Sequence, residues 1–215
     1  MILTTAPSKK LRMKTIYYDS LQKAGKHTNK HEYLQTLDGY ELVQKRLLVG
    51  DYMLSAGRIS VDTKANLQEL WTNVKTADHR RFKAECIKAQ ELEIQLYVLT
   101  ETTKATNLDD LKKWREPNSE YCRRGGSPRL EYLAKKNHKP LPKGKPRRAY
   151  GSTLAKSCRT MEEKYGVRFL FCDPNKTGER IIEILETPTT AEEAFNAMDE
   201  AVVEFDKFIQ TIKGE

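Results

Sequence analysis

Apolar positions change period along this chain, and the changes mark its elements. Residues 14 to 19 (KTIYYD) read as a strand that ends on an acid. Leu42 to Leu54 and Ile59 to Lys64 read as two strands joined by the turn-like Ser55-Ala56-Gly57-Arg58. The period then lengthens. Leu67, Leu70, Trp71 and Val74 keep helical spacing, and a second helix runs from Asp78, as N-cap, to about Leu92 with Phe82, Cys86 and Ala89 on one face. Ile94 to Thr100 is an apolar, β-rich run suited to a buried strand. Residues 31 to 38 read as a short helix and 152 to 165 as a longer one. Val167 to Cys172 and Arg180 to Leu185 read as strands around a polar turn in which Gly178 sits. A capping box, Thr190 with Glu193, opens a last helix whose stripe is Phe195, Met198, Val202, Phe205, Ile209 and Ile212. Strands alternating with helices predict an α/β fold, a mixed sheet flanked by helices. Residues 1–187 form the main domain, and 188–215 an amphipathic helix that packs on it or seams a homodimer.

Charge adds a partner to this outline. The 215 residues are 38% hydrophobic and 32% charged, which suits a globular chain. No apolar run approaches the roughly 20 residues of a membrane span, so no membrane association is expected. The opening MILTTAPSKKLRMK lacks a signal-peptide core, so a cytoplasmic location is expected. Cys86, Cys122, Cys158 and Cys172 form no C-x-x-C pair, which argues against zinc and for reduced thiols.

The net charge is +8, yet residues 104–150 alone hold fourteen Lys/Arg against five Asp/Glu. Within them, residues 135–150 carry seven bases, no acid, three prolines and a glycine, the composition of a mobile basic insertion. Such a block neutralises phosphates, so DNA is the expected partner. Candidate phosphate contacts are Arg123, Arg124, Lys143, Lys145, Arg147 and Arg148 there, with His79, Arg80, Arg81 and Lys83 at a helix start. The plainer reading of both groups is a solvated basic surface. From Thr187 on there are seven acids and two bases, so that end should not face DNA.

With residues 55–58 as the turn, Tyr52 falls opposite Val61 and Asp51 opposite Asp62. Opposed residues share a face, and Lys64, two positions on, shares it too. Two facing carboxylates repel unless a cation lies between them. A hard dication such as Mg²⁺ accepts such ligands and keeps water that can attack a phosphodiester. The neighbouring lysine can orient or deprotonate that water or offset phosphate charge. The plainer alternative is a hairpin in another register with Lys64 simply exposed.

Gly50-Asp51-Tyr52 followed by Val61-Asp62-Thr63-Lys64 resembles the G-D-(Y/F)…(E/D)-R-K signature of the XPF-type nuclease domain, in the PD-(D/E)XK, restriction-endonuclease-like superfamily. Asp19 resembles that family's first-strand aspartate, and the stretch from Asp78 through YVLTE resembles small single-domain phage and bacterial members. The resemblance implies a restriction-endonuclease-like core, Mg²⁺ or Mn²⁺, and cleavage of DNA at branched or junction structures. It implies metal ligation by Asp51, Asp62 and Asp19, with Lys64 as the catalytic lysine. This sequence departs from the pattern in having Gln22 in place of a first-strand glutamate, Thr63 in place of the arginine, and Gln68 in place of an acid, with Glu69 one position late. The alternative these departures favour is a catalytically weak DNA-binding module on the same fold.

Overall fold

The structure is a computed structural model that describes residues 13–22, 25, 27–75, 78–114, 128–140 and 151–188. Its strands are β1 (Lys14–Asp19), β2 (Tyr40–Lys45), β3 (Tyr52–Leu54), β4 (Ile59–Lys64), β5 (Gln95–Glu101) and β6 (Arg168–Cys172). Its helices are α1 (Thr28–Gln35), α2 (Leu67–Lys75), α3 (His79–Glu91), α4 (Pro128–Lys136), α5 (Gly151–Tyr165) and α6 (Thr177–Leu185). Short 3-10 turns lie at Asp110–Lys113 and Pro174–Lys176.

The sheet runs β2-β1-β3-β4-β5-β6. β1 pairs with β2, β4 with β5 and β5 with β6 in parallel, while β3 is antiparallel to both β1 and β4. This is the expected α/β class, a mixed sheet flanked by helices. On one face Leu96, Val98 and Phe169 meet Leu70 and Val74 of α2, Phe82 and Cys86 of α3, and Leu154 and Cys158 of α5. On the other, Ile16, Tyr52, Val61 and Leu99 meet Leu34 of α1 and Ile181, Ile184 and Leu185 of α6. β4 is covered from both sides, and all six of its residues are buried. Its alternation sends Ile59 and Val61 to the α1/α6 face and leaves Ser60, Asp62 and Lys64 to the other.

Four expectations need correction. The long strand read over Leu42 to Leu54 is two strands, with β2 at the sheet edge beyond β1. The short helix read over 31–38 starts earlier, at Thr28. Arg180 to Leu185 lies inside α6 rather than in a strand. Thr177, Ile181, Ile184 and Leu185 are its buried residues, at helical spacing, and so short an apolar run is ambiguous by period alone. Gly178 there serves helix contact rather than a turn, since a Cβ on it would lie 2.6 Å from Cδ1 of Tyr33 in α1. Of residues 104–150, those described include the 3-10 turn at Asp110–Lys113 and α4. Arg123, Arg124, Lys143, Lys145, Arg147 and Arg148 lie outside the described residues, as does the stripe from Phe195 to Ile212.

Long-range ion pairs bind the layers together. Lys30 of α1 reaches Glu101 of β5 at 2.5 Å with both side chains nearly buried, and Lys14 of β1 pairs with Glu186 just past α6. Cys86, Cys158 and Cys172 are free thiols, and burial pushes the Cys86 thiol up to about 12. No described helix is long and apolar enough to cross a membrane.

Candidate active site

The predicted hairpin register is present where Tyr52 pairs with Val61 and Met53 with Ser60. The ladder stops one pair short of the expected Asp51–Asp62 match. Asp51 still donates its N–H to the Val61 carbonyl at 2.8 Å, but its side chain bends over the strand end. There Oδ2 accepts from the Thr63 N–H at 2.9 Å and the Thr63 hydroxyl at 2.6 Å. Thr63, which stands where the resemblance has an arginine, thus holds a candidate metal ligand in place. Gly50 makes the bend with φ +70.

Asp62 and Lys64 project from the buried end of β4. The Lys64 ammonium is 2.5 Å from Asp62 Oδ2, with side-chain exposures of only 6% and 8%. Its Nζ also lies 5.3 Å from the centre of the Phe82 ring in α3, a cation–π contact. Glu85, one turn beyond Phe82, accepts from the Gly50 N–H at 2.9 Å. This acid escaped the sequence reading. The available signal was its place beside Cys86 on the rim of the buried stripe of α3.

Electrostatics join these groups into one unit. Burial raises the Asp62 pKa, Lys64 opposes that, and Asp51 and Glu69 push it further up. Burial, then the Asp62 charge, raises that of Glu85. Burial alone would pull Lys64 down, but Asp62, backed by Asp51 and Glu85, outweighs it and holds the ammonium above its usual value. A carboxyl raised on folding adds stability that is full below its unfolded pKa and lost as pH rises through the folded value. Glu85→Gln keeps an acceptor for Gly50 and deletes one such carboxyl. The variant is therefore expected to melt higher than the parent at pH 7, by about 2–4 °C for each kcal/mol relieved. That difference should shrink as pH falls toward 4.5, the ordinary carboxyl value of Glu85. Melting curves at several pH values, without metal, check this, and an equal offset at every pH would contradict the account.

Asp19 lies near the cluster without joining it. Its carboxylate accepts from Arg46 at 2.9 and 3.0 Å and from the Leu47 N–H at 3.1 Å. Gln22, at the position of the missing glutamate, donates Nε2 to the Asp51 carbonyl at 3.0 Å and accepts at Oε1 from His31 Nε2 at 3.1 Å. His27 is hydrogen-bonded to the Tyr52 hydroxyl through Nδ1 at 3.0 Å. These groups form a polar brace behind Asp51. Glu69 works chiefly as a cap: its Oε2 accepts from the Ala65 N–H at 2.8 Å, while its own N–H donates to Asn66 Oδ1 at 2.9 Å.

The four candidate contacts at the start of α3 separate by helix face. Arg80 and Lys83 are exposed. Arg81 contacts Asn73 at 3.5 Å and its charge acts on Glu85. His79 is half-buried, on the flank of α3 away from Glu85. Asp78 occupies the N-cap position, but its side chain makes no cap hydrogen bond.

Among the described residues no three His, Cys, Asp or Glu side chains converge as a formed metal site. The donor chemistry nonetheless fits a hard dication. Asp62, Asp51 and Glu85 offer carboxylate oxygens, and the upward shifts of Asp62 and Glu85, caused first by burial and then by neighbouring carboxylates, are ones a cation would relieve.

No family model matches the chain, and no curated protein matches it. Among solved structures, XPF from Aeropyrum pernix resembles it with a TM-score of 0.48 at 16% identity, over 88% of this chain and 72% of that one.

Proposed function

We propose that this chain is a divalent-metal-dependent DNA endonuclease, with Mg²⁺ or Mn²⁺ held by Asp62 and Asp51 and with Glu85 adjoining. One observation carries the reading: a buried Asp62–Lys64 pair at a strand end, with two further acids bearing on it. One ammonium balances one carboxylate, so the further acids leave negative charge that a bound cation would offset. Bound metal supplies an activated water and an electrophile for the scissile phosphate. Lys64, held cationic by its three acids, acts as a donor to phosphate oxygens rather than as a base. Thr63 fixes Asp51 from one side and Gln22 fixes its backbone from the other, so the ligand is positioned before substrate arrives. Asp19 stands behind as a supporting acid held by Arg46.

The finer parts of the proposal are a preference for branched or junction DNA, a phage or bacterial origin and a dimer seam on the C-terminal stripe. A second reading, a DNA-binding module with a lapsed metal site, draws on the ammonium already seated on Asp62. A cleavage panel of single-stranded, duplex, flap and four-way DNA with Mg²⁺, Mn²⁺ or EDTA separates them. Cutting with metal and none with EDTA is expected. No product from any substrate with either metal would leave only the binding module.

A further inference from the structure

We infer that the groove between α2, α3 and α5 is a binding track for the phosphate backbone of DNA, set apart from the carboxylate cluster. The inference extends the nuclease reading by placing the substrate's backbone, but it does not need the carboxylates. The groove encloses about 780 Å³. Its charged lining is Lys75 at the end of α2, His79 and Lys83 on α3, and Lys156 and Lys164 on α5, with no acid.

Clustering sets these lysines apart, since other described lysines such as Lys45, Lys104 and Lys139 also make no ion pair but do not line this groove. Lys14, Lys30, Lys64, Lys88, Lys112 and Lys135 each sit on an acid. Among the described residues, Lys75, Lys83, Lys156 and Lys164 make no ion pair, and all four are exposed. Four cations gathered around one concavity repel one another, and polyanion binding is what reverses the sign of that term.

The spacing suits a polymer better than a single small anion. Lys156 and Lys164 stand about 12 Å apart along α5, at about 1.5 Å per residue, enough to follow roughly three phosphates of one strand at about 3.4 Å of axial rise each. His79 opens α3, so the first-turn N–H groups of that helix lie at the groove as well. Its Nδ1 is buried with no hydrogen-bond partner among the described residues. Glu85 and Arg81 project from the opposite flank of α3, with Phe82 and Cys86 between.

The test uses the full chain and a short labelled duplex, titrated across a salt series with EDTA present. The triple variant Lys83→Gln, Lys156→Gln, Lys164→Gln changes only exposed side chains, and a melting curve verifies its fold. Its affinity should fall at least about tenfold, and the slope of log K against log salt should flatten by roughly two to three. Lys88→Gln, on α3 but paired with Glu91, should leave both unchanged. Poly-glutamate at matched charge should fail to displace the duplex. A triple variant with the parent's affinity and slope would overturn the groove whatever the cleavage panel shows, and displacement by poly-glutamate would overturn its assignment to DNA. If the variant loses binding while the parent cuts nothing with either metal, the groove stands and the nuclease reading falls.

Discussion

Asp62→Asn is expected to reduce metal-dependent cleavage by on the order of a thousandfold, because it removes the ligand nearest Lys64 at nearly constant volume. The same change also destabilises the chain. Lys64 is only 6% exposed and loses its closest counter-charge, and breaking a buried pair costs about 3 kcal/mol or more. A fall in activity could therefore be mistaken for a fall in folded fraction. Adding Lys64→Met separates the two, since replacing both members by uncharged groups of similar size is close to neutral. The double variant should regain most of the melting temperature and none of the activity. Circular dichroism melts beside single-turnover cleavage decide the matter. Recovery of cutting in the double variant would remove Asp62 and Lys64 from the chemistry.

Gly50→Ala should cost about 3 kcal/mol, from two sources of similar size. A φ of +70 is unfavourable for a residue with a side chain. The new Cβ would also lie 2.2 Å from Ser60 Oγ and 3.1 Å from the Val61 carbonyl oxygen. That hydroxyl is committed, donating to the Val49 carbonyl at 2.7 Å and the Tyr52 carbonyl at 3.2 Å, so it cannot simply rotate away. Removing it with Ser60→Ala in the Gly50→Ala background should recover the steric share and leave the backbone share. Urea denaturation of the two single variants and the double measures each part. Full additivity would mean that the contact is relieved without strain. Activity should fall as well, because Gly50 donates to Glu85 and sets the bend that delivers Asp51 to Thr63.

The hairpin was legible because its information is local. A four-residue turn and a period of two fix Tyr52 against Val61 and place Asp62 and Lys64 on one side. The rest of the site depends on contacts that a linear pattern does not carry. Asp51 leaves the ladder because a threonine hydroxyl twelve residues on captures its carboxylate. Glu85 joins from a helix whose docking angle is set by core packing, although an acid beside Cys86 on that stripe was a usable hint. Asp19 is legible at a strand end, but Arg46 and Leu47, which claim its carboxylate, come from the end of β2, a strand that the sequence pattern does not place beside β1. The layout of the fold followed the same division. Helices with two full turns of spacing, such as α2 and α3, were readable. The split of β2 from β3 and the helical state of Arg180 to Leu185 were decided by which surface each run had to cover.

The position of α6 has a consequence for synthesis. The apolar surface of Ile16, Tyr52, Val61 and Leu99 is covered in part by Leu34 of α1 and completed by Ile181, Ile184 and Leu185. A chain still on the ribosome therefore carries this apolar face without α6, the helix that completes its cover. Until the α6 segment clears the exit tunnel, that face is a target for chaperones and for other nascent copies. A ribosome stalled before Thr177 would display it, and one stalled well beyond Leu185 would not.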